Sequence, residues 1–143
     1  MASFEKVFNL EKEKNANKLY TALDNGCGRN LLDAFMAEAK SSSAQDFKYA
    51  QVMITDHYVC HYGFFPLQKR VYIIPTEDII NVYFSNCYNG TYDYDNKMIA
   101  LETKNDEIFY IAKCLRKRAH ADFQKAFETL VSRCKQNDGN LIA

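Results

Sequence analysis

A chain of 143 residues with 48 % hydrophobic residues, 10 Phe, 10 Tyr and 2 Pro has the length and apolar content of one folded domain, which excludes a two-lobed enzyme and a disordered polymer. Eighteen Lys and Arg balance eighteen Asp and Glu, so no global field steers the protein onto nucleic acid, and no stable membrane association is expected. The opening Met1-Ala-Ser-Phe-Glu-Lys is charged by residue 5, no apolar run reaches the ~18 residues of a membrane span, and five scattered cysteines make no C-x-x-C pair. A soluble, cytoplasmic protein with reduced thiols is expected.

Residues 1–46 read as a helical hairpin. Ser3 is placed to cap a first helix in which Phe4, Val7, Phe8, Ala16, Leu19 and Leu23 recur at helical spacing, around a polar, solvated middle from Glu11 to Lys18. Asp24-Asn-Gly-Cys-Gly28 is a break, because glycine and asparagine supply the positive φ of a tight connection. Asn30 is placed to cap a second helix with the stripe Leu31, Leu32, Phe35, Met36 and Ala39, ended by Ser41-Ser-Ser43. That stripe needs burial, and the hairpin is expected to cover an edge or face of the sheet that follows.

From Phe47 the period changes from about 3.6 to 2. Seven strands are predicted, at about 48–54, 57–64, 68–74, 79–85, 90–94, 97–104 and 107–112. Thr55-Asp56, Pro66, Pro75-Thr-Glu-Asp78, Asn89-Gly90, Asp95-Asn96 and Asn105-Asp106 supply the turns. Short connections of this kind join antiparallel neighbours, so the strands form a meander. Within the fourth strand Ile80, Val82 and Phe84 form an apolar row with Asn81 and Ser85 opposite. After Cys114 the helical period returns over about 116–135, with Ala119, Phe123, Ala126, Phe127, Leu130, Val131 and Cys134 on one face. Residues 47–136 thus make the main body, and 137–143 a frayed tail.

Seven antiparallel strands followed by one amphipathic helix is the order of a pleckstrin-homology-like (PH-like) domain. The runs Val52-Met-Ile-Thr-Asp-His-Tyr-Val-Cys60, Arg70-Val-Tyr-Ile-Ile-Pro-Thr-Glu-Asp-Ile-Ile-Asn-Val-Tyr83 and Met98-Ile-Ala-Leu-Glu-Thr-Lys-Asn-Asp-Glu-Ile-Phe-Tyr-Ile-Ala112 resemble the bacterial PH-like and GRAM-like modules. The resemblance spans about residues 47–135. It implies an α+β fold in which a strongly bent seven-stranded sheet, a PH-like barrel, is capped at one open end by the C-terminal helix. The function it implies is that of a non-catalytic interaction or scaffold module with a protein partner. Phosphoinositide-binding members carry Lys and Arg between the first two strands. Here that connection is the short, acidic Thr55-Asp56, and Lys69 and Arg70 fall beyond the second strand.

Charge is uneven along the chain, with 4 basic and 8 acidic residues over 51–112 but 7 and 3 over 113–143. The excess concentrates in Lys113-Cys-Leu-Arg116-Lys117-Arg118-Ala-His120, between the last strand and the helix. Together with Lys69 and Arg70, Lys113, Arg116, Lys117 and Arg118 are the candidate partner- or anion-binding residues, since Arg offers a planar fork to phosphate or carboxylate. The alternative function is therefore weak binding of an anionic ligand or lipid headgroup at junction 113–120. A third reading makes Cys27 an enzyme nucleophile, activated by Arg29 and a helix N-terminus. No base can be placed beside it, and the chain is read as no enzyme.

His57 and His61 flank Cys60, but residues four apart on a strand stand roughly 13 Å apart and cannot share an ion. Asp93, Asp95 and Asn96 have the spacing of a calcium loop without its glycine or its distal glutamate, and read as a hairpin turn. No metal and no cofactor is expected.

Overall fold

The polar middle of the first predicted helix divides it. The computed structural model of the chain describes residues 4–63, 70–85, 87–88, 91–92, 97–114 and 119–138. Within it Phe4–Val7 (α1) and Glu13–Asn25 (α2) are separate helices. Asn15 Nδ2 donates to the carbonyls of Lys6, Val7 and Asn9 at 3.0, 3.2 and 2.8 Å, serving groups that a continuous helix would have bonded internally. The expected Ser3 cap lies outside the described residues. Beyond Gly28, Arg29–Leu31 makes one 3-10 turn that runs into α3, Leu32–Ala39. Asn30 sits inside that turn rather than capping a helix, because the chain has already turned at Gly28, whose φ is 103°. The N-terminal part is thus three helices, not a two-helix hairpin.

Of the predicted first strand, 48–54, only the end is extended, as the second arm of a hairpin. Gln45–Phe47 (β1) and Val52–Ile54 (β2) pair antiparallel around the 3-10 turn Lys48–Ala50, with Gln51 left-handed at φ 58°. Next come β3 (Tyr58–His61) and β4 (Tyr72–Pro75), and the order of this sheet is β1-β2-β3-β4. Pro75 ends β4 as expected of a residue with no N–H for the ladder, and the 3-10 turn Thr76–Asp78 leads to β5, Ile79–Ser85. A short ladder, β6 (Cys87–Tyr88) with β7 (Thr91–Tyr92), precedes β8 (Lys97–Thr103) and β9 (Ile108–Cys114). The second sheet runs β5-β8-β9, antiparallel throughout. Helix α4, His120–Asp138, closes the description and runs past the predicted start of a tail at 137. The class is α+β. Among the described residues no sheet closes on itself, and in place of one seven-stranded sheet the strands form sheets of four and three and the two-stranded ladder of β6 and β7. No described helix is long and apolar enough to cross a membrane.

The four-stranded sheet is covered on both faces, which is why Val52, Met53 and Ile54 are buried in succession. Alternation sends Val52, Ile54, Val59 and Ile74 into a core shared with Ile99, Leu101 and Ile111 of the second sheet and with Phe123, Ala126 and Leu130 of α4. It sends Met53, Cys60, Tyr62 and Ile73 into a second core with Leu19, Leu23 and Phe35 of the N-terminal helices and with Phe8, just after α1. Each such aliphatic or aromatic side chain contributes about 1.5–3 kcal/mol by leaving water, so both covers are large terms for the sheet between them.

The free edge of β4 is also covered. Cys27 makes a parallel bridge to Tyr72: its N–H donates to the Val71 carbonyl at 3.4 Å, and Ile73 N–H donates to the Cys27 carbonyl at 3.0 Å. Only glycine fits on either side. A Cβ on Gly26 would strike the Val71 carbonyl oxygen, and one on Gly28 would lie 2.5 Å from Ile73 Cβ.

Candidate functional site

The basic junction was the most chemical feature of the sequence, and most of it lies outside the described residues. Lys69, Arg116, Lys117 and Arg118 are not described, and Lys113 is placed only as a backbone position in β9. Arg70 is exposed, just before β4. Asp93, Asp95 and Asn96 also fall outside the description.

The residues near Cys60 part company as the strand geometry requires. Cys60 faces the N-terminal helices, whereas His61 lies on the opposite face of β3 and stacks on Tyr72 at 6.3 Å between ring centroids. Among the described residues no three His, Cys, Asp or Glu side chains form a metal-sized cluster. Cys27 is half-buried, with Sγ 3.9 Å from the Ile73 carbonyl oxygen. Burial pushes its thiol up to about 11, only partly offset by the Ile73 contact. The group is therefore protonated at neutral pH and a poor nucleophile. Arg29 pairs with Asp24 at 2.7 Å and lies over the Tyr20 ring.

His57 is engaged differently. In the turn between β2 and β3, Thr55 Oγ1 and the His57 N–H donate to Glu38 Oε1 at 2.7 and 2.9 Å, and His57 Nδ1 lies 2.6 Å from Glu38 Oε2. Between them Asp56 accepts from Ser43 Oγ at 3.0 Å and from Arg133 Nη1 of α4 at 2.9 Å. A three-residue turn is thus held from α3, from the segment after it, and from α4. The hydrogen bonds from Thr55 and His57 outweigh the desolvation that acts against them and keep the Glu38 carboxyl below its ordinary range. Glu38 in turn raises His57.

One surface feature was not expected. Of the predicted row Ile80, Val82 and Phe84, a bulge between Ile79 and Asn81 buries Ile79 beside Val82 in place of Ile80, and Phe84, in unbroken register with Val82, stands at the far end of the strand. Phe84 is 39 % exposed and stacks on Phe127 of α4 at 4.0 Å and on Phe123 at 5.5 Å. Asn81 Oδ1 is buried without a hydrogen-bond partner. Nothing in the alternation of β5 signals this shift, since Ile79 and Ile80 are equally apolar.

Comparison with protein-family models, with curated proteins and with solved structures returns no match for the chain.

Proposed function

We propose that the chain is a non-catalytic PH-like interaction or scaffold module of bacterial type that binds a protein partner. Four consecutive antiparallel strands, then three, then a 19-residue helix packed on the core between them support the fold part of the reading. The observation that carries the binding part is the aromatic stack of Phe84 on Phe127 and Phe123. An exposed phenylalanine backed by two further rings is a rigid apolar contact of the kind that anchors protein interfaces.

Phe84→Lys places a charge on that contact at an exposed position, so the fold is expected to survive with its melting temperature within a few degrees. Pull-down from the native host should recover a partner with the wild-type chain and not with Phe84→Lys, and the purified pair should reproduce the difference by calorimetry. A partner bound equally by both proteins would sink the assignment of this surface. Salt-sensitive sedimentation of the wild type with acidic liposomes, lost on changing Arg116 and Arg118 to Glu, would instead establish the anionic-ligand reading.

A further inference from the structure

Besides the apolar packing of Phe35, helix α3 is tied to the turn between β2 and β3 by one carboxylate. Glu38 stands near the end of that helix, and its two oxygens divide the work: among the described residues Oε1 takes the Thr55 hydroxyl and the His57 N–H, while Oε2 takes the His57 ring nitrogen alone. The His57 backbone is fixed independently, since Thr76 N–H donates to its carbonyl at 2.9 Å. Its side chain is 75 % exposed, so the ring exchanges protons with solvent while the turn stays in place. Among the described residues the charged groups that act on it are the carboxylates of Glu38 from α3, Asp56 beside it in the turn, and Glu77 from the turn before β5. Arg133, from α4, is directed to Asp56.

We propose that the His57–Glu38 contact is a proton-operated latch: charged His57 holds the end of α3 on the β2–β3 turn, and loss of the proton loosens this corner of the helical layer. Above the transition Oε1 keeps its two neutral donors, so the layer stays docked but opens more often. What it uncovers is the outer face of the sheet, where Met53, Cys60 and Tyr62 lie under Phe35. The latch is independent of the partner-binding reading, because Phe84 belongs to the second sheet.

Native-state amide exchange tests it, in the wild type, His57→Gln and Glu38→Gln at pH 5.5, 7 and 9. Comparing proteins at equal pH cancels the intrinsic pH dependence of exchange. At pH 5.5 the α3 amides should exchange about two- to fivefold faster in His57→Gln than in the wild type, the range of a largely exposed ion pair. The ratio should return to one at pH 9. Glu38→Gln keeps the acceptor for Thr55 and should behave like His57→Gln. In low urea, α3 should also exchange with less urea sensitivity than β8, the mark of local opening. The proposal fails if the ratio is one at pH 5.5, if it does not change with pH, or if Glu38→Gln keeps the wild-type pH dependence. It fails equally if α3 and β8 exchange with the same urea sensitivity.

Discussion

His57 and His61 titrate in opposite directions although one strand separates them by four residues. Burial pushes His61 down to about 4, only partly offset by a hydrogen bond with the backbone of Gln51, and its Nδ1 has no hydrogen-bond partner among the described residues. The unfolded chain takes up this proton below about 6.5, whereas the folded one refuses it until about 4. The His61 contribution to stability is therefore complete above pH 6.5 and is lost as the pH falls toward 4. His57 has the reverse sign. The Glu38 hydrogen bond raises it above its ordinary value, so its contribution is complete below pH 6.5 and lost as the pH rises through the folded value. Urea unfolding at pH 7 and pH 5 should show the wild type losing about 1–2 kcal/mol to His61 on acidification. His61→Phe, which keeps a ring beside Tyr72, should not show that loss. Identical slopes in the two proteins would mean that His61 is not held neutral. Neither behaviour was legible in the sequence, where the two histidines differ only in their distance from Thr55. The partner of His57 lies 19 residues away on another element, and no local pattern marks so remote a contact.

Elements that bury one regular face were legible, and those interrupted by a single special residue were not. The spacing of Phe123, Ala126, Leu130 and Cys134 matches one stripe of α4, and all four are buried. The span of β5 is the predicted 79–85, and β8 and β9 lie close to theirs. The first predicted strand failed because left-handed Gln51 permits a hairpin that polarity alone cannot reveal, and the first helix failed because Asn15 satisfies the carbonyls at its break. Side chains of α4 should weigh in stability according to burial. Leu130→Ala, at a site shut off from water, is expected to cost about 2–5 kcal/mol. Phe84→Ala, across the same interface but partly exposed, is expected to cost about 1 kcal/mol. Chemical denaturation of the two variants decides the matter, and equal losses would contradict the partial exposure of Phe84.

At the level of the molecule, one sheet stands between two dissimilar covers. Deleting residues 1–42 would strip Met53, Cys60, Tyr62, Val71 and Ile73 of theirs, and would also remove the Gly26–Gly28 segment from the edge of β4. An apolar face beside an open strand edge favours self-association, so light scattering should find the truncated chain aggregated or dimeric. A monomer as stable as the full chain would make the N-terminal helices a separate appendage. The order of these covers along the chain has a consequence for the protein at birth. The helices that shield one side leave the ribosome before the strands they protect, whereas the opposite side waits for β8, β9 and a helix whose innermost residues are Phe123, Ala126, Leu130 and Cys134. A nascent chain halted before residue 119 therefore presents Val52, Ile54, Val59 and Ile74 to solvent or to a chaperone. Asp56, already docked to Ser43 at the near end, is joined by Arg133 only once α4 has been made.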